Sequence, residues 1–229
     1  MKNFFSTQTL QSDPKNSKLL EYVLDKSCGK MENIKTRNPI MPFLRNNVEP
    51  GESVELYLCV IIPIKEPGES EEAYNERTRE KRAVMQLHKK YFEENLEEIK
   101  NAVGGFDCEI KLIEMSGDSN NDYLKLMRNI VNNIADGDII FMDISFGFKP
   151  VSIVQFLALT YAYKVRRGVE IGAMVYGNAF GTAAGKETLY NLTELFLLNN
   201  TMNNLTDLPH PEQLVDRILN NMIGEDEGQ

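Results

Sequence analysis

Residues 138–144 read DIIFMDI, residues 145–150 read SFGFKP and residues 169–176 read VEIGAMVY. The first and last segments are short, almost continuously apolar and rich in β-branched residues, the pattern of strands covered on both faces. Between them an apolar helix is expected from about Val151 to Arg166, with Pro150 well placed near its start and Gly168 to stop it. Strand, helix and strand in so short a span require a parallel pair joined by a right-handed crossover.

The same alternation extends towards the amino end. VELYLCVIIPI (Val54–Ile64) reads as a central strand. After the turn Glu66–Glu69, a charged helix runs to about Val103 with an apolar stripe of Val84, Leu87, Tyr91, Leu96 and Ile99. Cys108–Met115 alternates as a half-buried strand, and Ser119–Ile134 as a helix with Leu124, Met127, Ile130, Val131 and Ile134 on one face. Asn3–Ser6 reads as a first strand and Asn16–Lys26 as a helix. Gly29–Gly51 holds Pro39, Pro42 and Pro50 with little periodicity, and reads as an irregular excursion outside the core. Lys186–Leu205 and Pro211–Ile223 read as two closing helices. The expected fold is therefore α/β, a Rossmann-like open, mainly parallel sheet with helices on both faces. It occupies residues 1–205, and residues 206–229 form a C-terminal helix and acidic tail that could begin a linker to an effector domain.

The chain has 229 residues, 42% of them hydrophobic, which is enough for a packed core and excludes a disordered class. Lys and Arg number 25 against 34 Asp and Glu, a net charge of -9, so coating of duplex DNA by bulk electrostatics is not expected. Cys28, Cys59 and Cys108 are widely spaced and form no zinc or disulfide pattern, which suits a reducing, cytoplasmic setting. No apolar run approaches the ~20 residues needed to span a bilayer. No G-x-G-x-x-G follows the first strand, and HExxH, GxSxG and Walker A patterns are missing, so no metal or cofactor is expected.

In an open parallel sheet, ligands bind beyond the carboxyl ends of the strands. Three loops qualify: Ser6–Thr9, Ser145–Pro150 and Gly177–Gly181. The middle one ends a strand in Asp143, turns through Gly147 and presents Lys149 as a helix begins. A helix start beside a lysine suits an anion, although Ser145 as a simple cap and Asp143 as a backbone acceptor explain the same residues without a ligand.

Asp143-Ile144-Ser145-Phe146-Gly147-Phe148-Lys149 fits the pattern [DN]-x-[ST]-x-x-x-[RK] of the CARF domain, the CRISPR-associated Rossmann fold, and DISFGF resembles the DxTHGF-type loop of one large CARF group. The resemblance covers most of the chain by element order and Gly137–Phe180 by wording. It implies a homodimer that clamps one ring of cyclic oligoadenylate at the strand carboxyl ends, with the cyclic tetra-adenylate favoured and the hexa-adenylate the other choice. It further implies ligand contacts from Ser145, Gly147 and Lys149, completed by Ser6, Thr7 and Gln8 and by Asn178, Ala179 and Phe180. Phe146 stands where the family commonly has histidine, so no role of that histidine carries over. Phe146 and Phe148 read as packing residues, with adenine stacking as the functional alternative.

Arg82–His88 matches the R-x(4-6)-H motif of HEPN ribonucleases only formally, because it falls in a charged helix of the sensor fold. No effector motif is present. Two alternatives to a sensor remain open at this point. A ring nuclease would cleave the same ligand in the same pocket, with Ser6, Thr7 and Ser145 positioning a ribose hydroxyl. A generic nucleotide-binding Rossmann-like protein would use the Lys149 helix start alone.

Overall fold

A computed structural model describes residues 1–7, 22–117, 119–147, 149–178, 187–205 and 211–224. Its strands are β1 (Lys2–Thr7), β2 (Val23–Leu24), β3 (Ser53–Ile62), β4 (Asp107–Ser116), β5 (Ile139–Asp143), β6 (Glu170–Asn178) and β7 (Thr188–Asn191). They form one sheet in the order β2-β7-β6-β5-β1-β3-β4. Every pairing is parallel except β6 with β7. The helices are α1 (Ile40–Asn47), α2 (Glu71–Val103), α3 (Asn120–Asn132), α4 (Lys149–Val165), α5 (Thr193–Leu205) and α6 (Pro211–Gly224).

From β1 the chain steps outward through β3 to β4, then returns across β1 to β5 and β6. Right-handed crossovers in these opposite directions set α1 and α2 on one face and α3 and α4 on the other. The contacts agree: α1 packs on α2, β1 and β5, and α3 packs on α4. The expected α/β, Rossmann-like open sheet is the observed fold.

The central strands bury side chains on both sides. Phe4 stacks on Phe141 with ring centroids 4.5 Å apart, and its neighbour Phe5 stacks on Tyr57 at 4.6 Å. At the opposite end of the sheet from the loops considered above, buried Asp138 accepts from Asn3 Nδ2 at 2.7 Å and from the Ala135 N–H at 2.7 Å, which fixes β5 beside β1.

Several expectations need correction. The Gly29–Gly51 excursion is not outside the core: α1 buries Ile40, Met41, Phe43 and Leu44. Its prolines fit because Pro39 caps the helix and Pro42 lies in the first turn, where backbone N–H groups have no intrahelical partner to lose. Thr36 donates to Asn95 Oδ1 at 2.8 Å and Arg37 lies over the Tyr91 ring, so the segment is also tied to α2. The expected helix Asn16–Lys26 fails over its described part. Tyr22 is buried, Val23–Leu24 is β2, and Lys26–Cys28 is a turn of 3-10 helix; the rest of that helix lies outside the described residues.

Lys186–Leu205 is not one helix. Thr188–Asn191 forms β7 between β6 and β2, and α5 begins only at Thr193. A four-residue strand leaves almost no local pattern, and here tertiary pairing decides it. Gly177 and Asn178 belong to β6 and not to a loop. On α2 the buried stripe is Met85, His88, Phe92, Leu96 and Ile99, with the expected Val84, Leu87 and Tyr91 flanking it. On α3 Leu126, Ile130 and Val131 are buried, whereas Leu124 is exposed.

The chain forms two compact units, Met1–Leu192 and Thr193–Gln229. The second holds α5 and α6, whereas the sequence reading set the boundary after residue 205. Among the described residues no helix is long and apolar enough to cross a membrane.

Candidate functional site

β1 lies between β3 and β5, so the chain leaves it in one direction and returns on its other side. Such a reversal opens a crevice at the strand carboxyl ends. Asp143, the last residue of β5, sits there with no exposure to solvent.

Its carboxylate gathers three elements. Ser6 Oγ of β1 donates to Oδ2 at 2.7 Å, the Ser145 N–H donates to Oδ1 at 2.8 Å, and Ser145 Oγ also donates to Oδ1. Ser145 Oγ in turn accepts the Gly177 N–H of β6 at 2.6 Å. The bond from Asp143 to the amide two residues on is an Asx turn, the local chemistry that ends the strand at this position. The first turns of α4 hold the exit: Ser152 Oγ donates to the Ile144 carbonyl at 3.0 Å and Gln155 Nε2 to the Asp143 carbonyl at 3.2 Å.

Burial pushes the Asp143 carboxyl up to about 6, against the opposing pull of the hydrogen bonds from Ser145 and Ser6. Tyr22 is also fully buried, and burial raises its phenol, with the charges of Asp143 and Glu187 adding to the effect.

Two glycines set the clearances. Gly147 has φ 107°, and a Cβ there would stand 3.0 Å from Thr7 Cγ2. A Cβ on Gly177 would stand 2.5 Å from Pro39 Cγ and 3.1 Å from the Tyr22 ring. Neither position admits a side chain without movement.

Of the residues read from the sequence, Ser6, Thr7, Ser145, Gly147 and Asn178 come together at this end of the sheet. Ser6 and Thr7 are buried, and Ser6 is engaged with Asp143. Phe146 and Gly147 are half-buried, and Lys149 is exposed as the first residue of α4. Gln8, Phe148, Ala179 and Phe180 lie outside the described residues. Tyr22, Pro39 and Gln155 were not foreseen. Gln155 had a signal, being a lone amide in the apolar run VSIVQFLAL, but Tyr22 and Pro39 reach Gly177 from far along the sequence.

Three buried polar atoms in this region have no hydrogen-bond partner among the described residues: Thr7 Oγ1, Tyr22 Oη and Gln155 Oε1. Unfilled capacity of this kind is where ordered water or a ligand supplies the missing bond. At the surface the site offers the opening turn of α4, whose first amides have no intrahelical partner, with Lys149 beside them, which is the chemistry of anion binding. Among the described residues no group of three His, Cys, Asp or Glu side chains could hold a metal ion. His88 is buried on the packed side of α2 while Arg82 is exposed, so the two do not converge as a nuclease pair.

No protein-family model and no curated protein matches the chain.

Proposed function

We propose that the chain binds cyclic oligoadenylate, one ring across two copies, as the sensor of a type III CRISPR antiviral system acting in the cytoplasm. The observation that carries this reading is the Asp143–Ser145 turn. It passes β5 into the start of α4 with Lys149 exposed, and the same turn is tied to β1 through Ser6 and to β6 through Gly177. The [DN]-x-[ST]-x-x-x-[RK] spacing thus falls on a strand end, a turn and a helix start, as phosphate binding at a sheet crevice requires. The unfilled Thr7, Tyr22 and Gln155 atoms add polar capacity at the same end.

Of the three hydroxyls that a ring nuclease would use, Ser6 and Ser145 both direct their protons to Asp143, which favours a sensor, and Thr7 Oγ1 is the one left without a partner among the described residues. Calorimetric titration with cyclic tri-, tetra- and hexa-adenylate, followed by mass spectrometry of the recovered ligand, tests the reading. It predicts tight binding of the tetra-adenylate at one ring per two chains and recovery of the intact ring. A linear product establishes the nuclease, equal binding of AMP by a single chain establishes a generic nucleotide site, and no heat with any ring removes the sensor.

A further inference from the structure

The helix pair α3 and α4 has a charge opposite to that of the molecule. It carries Lys125, Arg128, Lys149 and Lys164 against one carboxylate, Asp122, an excess of three positive charges on a chain whose net charge is -9. Asp122 is already engaged, in the cap with Ser119 and 3.6 Å from Lys125 Nζ. Between the helices runs a shallow groove of about 330 Å³, lined by Leu124, Met127, Arg128, Val131, Asn132 and Tyr161. Arg166 reaches the end of this groove, where its Nη2 lies 3.5 Å from the Val131 carbonyl and its buried Nε has no hydrogen-bond partner among the described residues. Lys164 follows Tyr161 by three residues and so shares its face of α4. Among the described residues none of Arg128, Lys164 and Arg166 is paired with a carboxylate. The helix dipole accounts for a cation in a last turn, but not for the scarcity of acids along both helices.

Apolar side chains accompany the charge. Leu124 is 65% exposed, and on α4 Ile153 and Leu157 are 59% and 47% exposed, in line with Tyr161 at four-residue spacing. The inward faces of the helices are filled by other residues, Leu126 and Ile130 on α3 and Val154, Ala158 and Ala162 on α4. Exposed apolar groups bordered by unpaired cations are matched by the reverse pattern, an apolar stripe with carboxylates beside it. A groove between two helices takes a third helix by ridge-into-groove packing. Charge also decides where such a helix lands, because the chain as a whole repels an acidic partner and this face attracts it.

We infer that the α3–α4 groove is the docking site for an acidic amphipathic helix of another protein, with its apolar stripe on Leu124 and Leu157 and its carboxylates on Arg128, Lys164 and Arg166. The inference is independent of the ligand proposed for the strand ends.

The probe is a fluorescent synthetic helix with leucine at every third or fourth position and glutamate elsewhere, titrated against the full chain by anisotropy. A counterpart with glutamine for every glutamate, another with lysine, and polyglutamate without leucine are the comparisons. The glutamate helix is expected to bind at least about tenfold more tightly than any of the three, and to weaken as salt rises. The double variant Arg128→Glu, Lys164→Glu is expected to prefer the lysine helix, a reversal that a misfolded protein does not produce. Leu157→Ser is expected to weaken the glutamate helix about tenfold. No binding, equal binding of the glutamine helix, or an unchanged affinity in Leu157→Ser overturns the inference. Equal binding of polyglutamate overturns it in favour of a non-specific anion surface. Light scattering is the remaining arm: a dimer that Leu157→Ser splits into single chains places a second copy on this face and overturns the inference as well.

Discussion

A carboxyl group without access to water is costly to ionise, and Asp143 accepts that cost because its oxygens organise three chain segments. Its pKa, raised by burial from 3.8 to about 6, means that the native state holds this proton more tightly than the unfolded chain does. The difference amounts to about 3 kcal/mol of stability, fully present below about pH 4 and lost as the pH rises through 6. Asp143→Asn keeps an acceptor for Ser145 and gives Ser6 a donor, and it does not ionise. Relative to wild type, the variant should therefore gain stability by up to about 3 kcal/mol between pH 4 and pH 6 and hold that gain above it. Denaturant melts of both proteins from pH 4 to pH 8 measure the difference; one that does not change with pH would show that Asp143 titrates normally.

Gly177→Ala forces a methyl against Pro39 and Tyr22, and should cost about 1–3 kcal/mol in the same assay. Lys149→Ala is exposed and should leave the melt unchanged while weakening ring affinity by about 1.5–3 kcal/mol, the worth of a charge-assisted hydrogen bond. Unaltered affinity would move the site elsewhere. Ser6 was legible as a residue at a strand end, but its bond to Asp143, 137 positions away, was not; only the local bonds could be read. Asp143 and Ser145 lie two positions apart and announce their turn, whereas Tyr22 and Pro39 against Gly177 are contacts that only the folded chain creates.

At the scale of elements, long periodic segments could be read because many residues repeat the same message. β3, α2, β4, α3, β5, α4 and β6 all stand near their expected places. The failures share a physical cause. α1 has prolines that normally break helices, but they fall at the cap and in the first turn, where none of its hydrogen bonds is lost. β2 and β7 have two and four residues, too few for any period, and exist because they pair with each other and β7 pairs with β6. On α2 the stripe was displaced by about one residue because Met85, His88 and Phe92 face the core where Val84, Leu87 and Tyr91 were expected. If α1 is a core element, Leu44→Ala should destabilise the protein by about 2–5 kcal/mol, as large-to-small changes in packed cores do. A loss below about 0.5 kcal/mol, typical of surface positions, would return the segment to the periphery.

At the scale of the whole molecule, sheet order gives the position of the candidate site. Because the crossovers reverse at β1, the carboxyl ends of β1, β5 and β6 converge, and a single buried carboxylate can hold all three. That convergence followed from the alternation of strands and helices alone. The ligand did not follow from it: a sheet crevice with a helix start suits many phosphates, and the choice of a ring rests on the wording of one loop. The proposed function places a ring with its own symmetry between two copies of one crevice, so stoichiometry bears on the ligand as much as affinity does. Native mass spectrometry of the full chain mixed with cyclic tetra-adenylate reads that stoichiometry without a binding model. The account predicts a dominant species of two chains and one intact ring; single chains without ring, or one ring on each chain, would contradict it.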